Sequence, residues 1–126
     1  MTQQSKPELN SSESSTDPDR LLKDIQIECS DDTLDWFPDI EPSLDYLSIC
    51  LAGETGEFCN IVKKMMRGSM DIEAEYTKFL LSMELVDTFI YVVLLANILG
   101  MDLAKAYTIK REQNVERFDR TVGEVE

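Results

Sequence analysis

Apolar residues recur along most of this chain at the three- and four-residue spacing of one helix face, which is typical of amphipathic α-helices. The pattern predicts three or four helices: a short helix from Asp17 to about Glu28, and long helices over 43–67, 71–100 and 103–120. No segment has a convincing strand pattern. We therefore expect an all-α helical bundle of three or four helices per subunit.

Short local signals place the ends of these helices. Ser43 and Asp102 are good N-caps, and Gly68 and Gly100 are typical residues for a helix C-terminus. The stretch 29–42 contains two prolines and a cluster of aspartates. Because both features interrupt helices, we expect a loop over that stretch.

The chain has 126 residues, which suits one domain. We expect a disordered tail over the polar residues 1–16, the helical domain over 17–120, and a frayed C-terminus over 121–126. The three cysteines are Cys29, Cys50 and Cys59. They form no C-x-x-C pair and are expected to be reduced core residues of a cytoplasmic protein.

Two of the apolar stripes contain acidic residues at positions that should face the core. The first long helix has Glu54 in its stripe, and Glu57 lies one turn further on. The second long helix has Glu84 and Asp87 in its stripe. Acids on the inward faces of two packed helices repel one another and lose hydration, which costs several kcal/mol per unpaired ion. A positive group is therefore expected among them.

Composition narrows the identity of that positive group. The chain has no histidine, which excludes Ser-His and Cys-His catalysis and nearly every zinc-enzyme pattern. Carboxylate oxygens without histidine or thiolate select Mg²⁺, or alternatively Mn²⁺. A second interpretation pairs the acids with side-chain cations as structural ion pairs. Those cations are Lys63, Lys64, Lys110 and Arg117.

The net charge of −13 disfavours a nucleic-acid polymer or an anionic membrane as a partner, yet one stripe of the last helix is cationic. Its members are Leu103, Tyr107, Lys110, Asn114 and Arg117. Together with Lys63, Lys64 and Arg67, this stripe is either a site for ligand phosphates or a solvated basic face. Upstream, Trp36 and Phe37 either stack on a base or plug the end of the bundle.

The segment 79–99 is apolar enough to be mistaken for a membrane span. Glu84 and Asp87 argue against a span, because an aspartate at the bilayer centre costs about 2.5 to 3.5 kcal/mol on insertion scales. Within the segment, residues 89–95 cover every face of the helix with apolar side chains. The rest of so short a chain has little with which to cover them, so we expect a homodimer or homotetramer.

An ordered set of motifs resembles the MazG-like nucleotide pyrophosphohydrolases. The set comprises LAGETGEF at 51–58, KK at 63–64, RG at 67–68, ELVD at 84–87 with Tyr91, GMDL at 100–103, and then Lys110, Asn114 and Arg117. The resemblance covers about residues 43–118, and its specificity lies in the order of the motifs. The chain departs from the family at Asn60, where many members have a further acid, and its segment 35–38 resembles the family's aromatic segment only loosely.

The resemblance implies an oligomeric all-α NTP pyrophosphatase that hydrolyses a nucleoside triphosphate to the monophosphate and pyrophosphate. The Mg²⁺ ligands carried over by position are Glu54, Glu57, Glu84 and Asp87. Glu54 or Glu57 is expected to take the proton of the attacking water. The candidate substrate-binding residues are Trp36, Lys64, Lys110, Asn114 and Arg117. The alternatives are a non-catalytic homo-oligomeric interaction module with structural ion pairs, or the same fold acting on dUTP or phosphoribosyl-ATP.

Overall fold

A computed structural model describes residues 18–123, with side chains described over 21–119. The helices are α1 (Pro18–Trp36), α2 (Leu44–Met66), α3 (Glu75–Ile98) and α4 (Leu103–Gly123). The described residues contain no strand, which confirms the all-α prediction. The expected tail, and the last three residues of the expected frayed terminus, lie outside the described part of the chain.

Helix α1 is much longer than the sequence predicted, so the expected loop over 29–36 is wrong. Cys29 is buried in the core and continues the apolar face that Ile25 begins one turn earlier. The hydroxyl of Thr33 donates to the carbonyl oxygen of Cys29 at 2.7 Å, within the helix. The aspartates that suggested a loop lie on the exposed side of α1. Because these aspartates face solvent, a cluster of them is compatible with a continuous helix.

The signals for helix ends hold around α2 and at the end of α3. The Ser43 hydroxyl oxygen accepts a hydrogen bond from the Tyr46 amide at 3.2 Å, as an N-cap does. Gly68 and Gly100 follow the ends of α2 and α3 with φ angles of +77° and +64°. A residue with a Cβ is strained in this left-handed conformation, so glycine is suited to both positions.

Asp71 was predicted to lie near the start of α3, but that helix begins four residues later, at Glu75. The carboxylate of Asp71 accepts a hydrogen bond from the Glu73 amide at 3.0 Å and closes a turn instead. Asp102 caps α4 as predicted, because its carboxylate accepts from the Lys105 amide at 3.2 Å. The α4 helix continues to Gly123, three residues beyond its expected end.

The helices pack around α3, which contacts both α1 and α2, while α4 packs mainly on α1. The centre of the core consists of Cys29, Leu47, Val93 and Leu94. Partly buried side chains surround it: Ile25, Phe37, Ile90, Tyr91, Leu95 and Leu103. Of the other cysteines, Cys50 is half-buried and Cys59 is exposed, so the prediction that all three lie in the core is wrong for Cys59. All three thiols are free.

The apolar run of α3 is divided between the core of the subunit and its surface. Val93 and Leu94 are buried within the single chain, so those two positions need no partner subunit. Phe89 and Val92, in contrast, are exposed, and so are further apolar residues along α3. By length and composition alone α3 is able to cross a membrane, and it is the one such helix in the described part of the chain.

Gln26 joins three helix segments through a buried set of hydrogen bonds that the sequence pattern did not indicate. Its amide nitrogen donates to the Asn97 side-chain oxygen at 3.0 Å and to the Met101 carbonyl oxygen at 2.9 Å. Its amide oxygen accepts from the Leu103 backbone amide at 3.0 Å. The Asn97 amide returns a bond to the Gln26 carbonyl oxygen at 2.9 Å. The start of α4 is thereby fixed relative to α1 and α3.

Replacing Gln26 with alanine is expected to lower the free energy of unfolding by about 2 to 3 kcal/mol, because buried donors and acceptors on three segments lose their partners. Urea denaturation followed by circular dichroism measures this change. The control is Gln113→Ala at an exposed position of α4, which should change stability by less than about 0.5 kcal/mol. Equal stability of the two variants would contradict a structural role for the Gln26 bonds.

Candidate metal centre

Three carboxylates from two helices meet at one place on the α2–α3 pair. Glu54 comes from α2, and Glu84 and Asp87 come from α3. One oxygen atom of each carboxylate lies within 4.8 Å of the others. Glu54 and Glu84 are half-buried, and Asp87 is exposed. The predicted stripe positions therefore bring these three acids together.

The three carboxylates have no ion-pair partner among the described residues. The pKa of Glu54 is raised above its ordinary value, first by desolvation and then by the negative charges of Asp87 and Glu84. A hydrogen bond between the Glu54 and Glu84 side chains raises it further. Within one subunit the ion-pair interpretation therefore lacks its cations. The cluster has an excess of negative charge and has oxygen ligands to offer.

Glu57 lies outside this group of three. Its side chain is exposed, and it affects the pKa of Glu54 only as the weakest of the causes, through its charge. The three-residue spacing alone does not exclude Glu57, since Glu84 and Asp87 have the same spacing and both belong to the group. The sequence pattern identified the right turn of α2 but did not distinguish the two glutamates.

A pocket of about 280 Å³ opens beside the cluster. Its lining consists of Trp36, Phe37, Glu54, Asp87, Ile90, Tyr91 and Leu94. Phe37 packs on the core and contacts the Tyr46 ring edge-on, with centroids 6.0 Å apart. Trp36 is 43 % exposed. Of the two roles considered for the aromatic pair, Phe37 thus closes the end of the bundle, while Trp36 leaves ring surface open to the pocket.

Tyr91 is a pocket residue that the sequence analysis named in the motif of residues 84–91 but did not include among the candidate site residues. It lies one turn after Asp87 on α3 and lines the same pocket. Burial and the nearby Cys50 thiol raise the pKa of Tyr91 to about 12. A phenol is protonated at neutral pH with or without this shift, so Tyr91 has an O–H group that is able to donate to a ligand. In the sequence, Tyr91 follows Glu84 and Asp87 on the same helix face, and this spacing is the signal that could have placed it in the site.

The predicted phosphate-binding residues do not join the carboxylates within one subunit. Lys64 is exposed near the end of α2. Lys110 and Asn114 line a separate groove on α4, together with Tyr107, Arg111, Val115, Phe118 and Asp119. Arg117 is also exposed on α4. The expectation that these cations and the acids form one site is therefore not met by a single chain, because α4 packs on α1.

The carboxylate cluster fits a hard divalent cation. All three groups offer oxygens, as Mg²⁺ prefers, and their negative charge has no ion-pair partner within residues 18–123. Two oxygens on one Mg²⁺ are at most about 4.2 Å apart, since Mg–O bonds are about 2.1 Å long. The three oxygens lie within 4.8 Å of one another, so the cluster is close to the size that one ion requires.

Comparison with known proteins adds no assignment. The chain matches no model of a known protein family, no curated protein and no solved structure. The chemistry of the site therefore rests on its own residues. Those residues are three carboxylates, an exposed tryptophan and a protonated tyrosine around one pocket.

Proposed function

We propose that this protein is a Mg²⁺-dependent nucleoside triphosphate pyrophosphohydrolase, related to the MazG-like enzymes. The observation that carries the proposal is the cluster of three carboxylates without an ion-pair partner at a pocket with an exposed aromatic ring. A triphosphate repels bare carboxylates, so a cation must lie between them. Such a ligand therefore suits this site only together with its metal.

Glu54, Glu84 and Asp87 hold Mg²⁺ in this proposal, and Mn²⁺ is able to replace it. When bound, the metal supplies positive charge next to the triphosphate and lowers the pKa of the attacking water. Glu57 is near enough in sequence to add a ligand or a base from the exposed side of α2. Asn60 occupies the position one turn later, where it offers a neutral amide oxygen.

Glu54 is the better placed of the two glutamates to take the proton of the attacking water. It lines the pocket and belongs to the group of three carboxylates, whereas Glu57 lies outside both. The phenol of Tyr91 lines the same pocket and donates a hydrogen bond to the ligand. Trp36 offers its ring face to the base. Lys64 lies ten residues after Glu54, about 15 Å further along α2 and outside the lining of the pocket, so in this proposal it has no contact with the ligand.

The proposal extends to location and assembly. Three free thiols are typical of a reducing compartment, which favours the cytoplasm. The exposed apolar residues of α3 and α4 favour a homodimer or homotetramer over an isolated subunit. A net charge of −13 disfavours nucleic-acid polymers and anionic membranes as partners, which is consistent with a small substrate that brings its own metal ion.

A panel of ribo- and deoxyribonucleoside triphosphates tests the proposal. The expected result is release of pyrophosphate, and not of orthophosphate, that requires Mg²⁺ and stops with EDTA. The base and sugar that react fastest identify the substrate. Release of orthophosphate alone, or no release with any nucleotide, would reject the pyrophosphohydrolase and favour the non-catalytic interaction module.

A further inference from the structure

A groove of about 330 Å³ lies where the last turns of α1 and α3 meet the chain that leads into α2. Thr33 and Leu34 line it from α1, Asn97 and Ile98 line it from α3, and Glu41 lines it just before α2. Its volume is at the lower end of the range of roughly 300 to 1,000 Å³ that is typical of small-molecule sites. The proposed function does not use this cavity, which we call the α1–α3 groove.

The groove has an apolar floor and an apolar rim. Leu47 and Leu94 form the floor and are buried members of the core. Leu34 and Ile98 lie at the rim, where they are 80 % and 43 % exposed. A ligand with an apolar body would remove the surface of these two rim residues from water, which is favourable.

The polar side chains of the groove include a single charge. Ser30, Thr33 and Asn97 are neutral, and Glu41 is the one charged side chain among the described residues that line the groove. Glu41 is exposed and forms no ion pair within the described part of the chain. A lone carboxylate beside an apolar surface is complementary to a ligand that combines one cation with an apolar body.

The helix ends around the groove also favour a cation. A helix C-terminus carries a partial negative charge, and both α1 and α3 end at the groove without a basic residue in the last turn. Helix α2, in contrast, has Lys63 and Lys64 in its last turn. The N-terminus of α2 borders the groove as well, but its partial positive charge is offset by Asp45 in the first turn.

We infer that the α1–α3 groove binds a small amphipathic amine, with its ammonium group next to Glu41 and its apolar body on Leu34 and Ile98. An anionic ligand is disfavoured by Glu41, by the two helix C-termini and by the net charge of −13. The inference uses neither the metal nor the nucleotide of the proposed function.

The groove is distinct from the pocket beside the carboxylates. Among the described residues, Leu94 is the one that lines both cavities. Glu54 and Asp87 line the other pocket, where they also attract cations. An experiment with an amine therefore has to show which of the two cavities the amine occupies.

The first experiment compares three probes that share one apolar body and differ in the charge at its end. The probes are 4-phenylbutylamine, 4-phenylbutanol and 4-phenylbutyrate, and isothermal titration calorimetry measures their binding to the wild-type protein. The amine should bind most tightly, and the carboxylate should bind about tenfold more weakly than the amine. No binding of the amine at millimolar concentration, or equal binding of the amine and the carboxylate, would overturn the inference.

Charge variants locate the bound amine. Glu41→Gln should weaken amine binding about threefold and leave alcohol binding unchanged. The matched control is Asp39→Asn, which removes the same charge two residues away and outside the lining, and should bind the amine as the wild type does. Equal weakening by both variants would assign the binding to the overall charge of the protein. Loss of amine binding in Asp87→Asn would assign it to the other pocket, and either result rejects the inference.

A variant that fills the groove tests the apolar part of the site. Ser30 is exposed on α1, so Ser30→Phe should leave the helix intact, as circular dichroism can show, and weaken the amine and the alcohol alike by about tenfold. If that variant does not fold, Ile98→Ser at the exposed rim should weaken both probes about threefold. Unchanged binding by a folded variant contradicts the inference.

A second copy of the chain is the other possible cover for the rim. Sedimentation velocity should find that Ile98→Ser assembles as the wild type does, whereas dissociation by this variant would assign the rim to a subunit contact and overturn the inference. None of these measurements uses activity. Failure to hydrolyse any nucleotide would therefore reject the proposed function alone, and failure to bind the amine would reject the groove site alone.

Discussion

Replacing Glu84 with glutamine is expected to abolish hydrolysis, with a loss of about 100-fold or more, while the metal-free protein stays at least as stable as the wild type. The variant keeps the shape of the side chain and removes one of three neighbouring negative charges. Because Glu84 has no ion-pair partner among the described residues, no cation loses its counterion. Removing the charge should therefore relieve repulsion.

Mg²⁺ should stabilise the two proteins by very different amounts. At a Mg²⁺ concentration of about 100 times its Kd, binding adds about 2.7 kcal/mol to the stability of the wild type. If Glu84→Gln weakens binding about 100-fold, the same concentration adds only about 0.4 kcal/mol. Thermal melts of both proteins in EDTA and in millimolar Mg²⁺ measure this difference. Glu112→Gln, an exposed acid on α4, is the control that should respond to Mg²⁺ as the wild type does.

The pH dependence in EDTA has a definite sign. Because the pKa of Glu54 is raised in the folded protein, its charged form costs stability, and this cost disappears as the pH falls through that pKa. Glu84 is one of the causes of the raised pKa. The advantage of Glu84→Gln over the wild type should therefore be largest at neutral pH and shrink towards acid pH. A loss of about 3 to 5 kcal/mol in EDTA that Mg²⁺ does not change would instead indicate a buried ion pair and exclude the metal site.

Val93→Asp is expected to prevent folding. Val93 has no exposed surface and packs with Cys29, Leu47 and Leu94 at the centre of the core. A buried aspartate has no partner there and costs several kcal/mol in addition to the lost packing, against a total stability of about 5 to 15 kcal/mol for a domain. Far-ultraviolet circular dichroism of the purified chain should show little cooperative unfolding.

The neighbouring residue provides the matched control. Val92 is 37 % exposed on the other side of α3, so Val92→Asp should leave the subunit folded and cost about 1 kcal/mol or less. A third variant, Val93→Ala, should fold with a loss of about 1 to 3 kcal/mol, which keeps the position measurable. Equal behaviour of the two aspartate variants would contradict the placement of Val93 in the core.

Much of the fold follows from short-range signals, and the exceptions have physical causes. Ser43, Gly68 and Asp102 act through their own backbone neighbours, which is why the helix ends beside them were predictable. The length of α1 was not predictable, because it depends on the packing of Cys29 against residues of other helices. Gln26 has no sequence signal at all. Its partners are known only once α3 and α4 are placed beside α1.

The part of the site that lies on single helix faces, the three carboxylates, was predictable from the sequence. The spacing of acids in two apolar stripes placed Glu54, Glu84 and Asp87 together, as the structure does. The spacing could not exclude Glu57, because the stripe of a single helix is wide enough to include it. Nor could it show that Lys110 lies apart from the acids, since the direction of α4 depends on its packing on α1.

The bonds of Gln26 also determine the order in which this chain is able to fold during synthesis. Their partners lie 71, 75 and 77 residues further along the chain. The α2–α3 hairpin is complete before α4 leaves the ribosome, whereas α1 is made first and cannot form all its contacts until α4 follows. The apolar face around Cys29 packs on Leu47 of α2 and on Val93 and Leu94 of α3, so it is covered once those two helices are in place. The last contacts of α1 to form are therefore polar ones, the Gln26 bonds to Met101 and Leu103 at the start of α4.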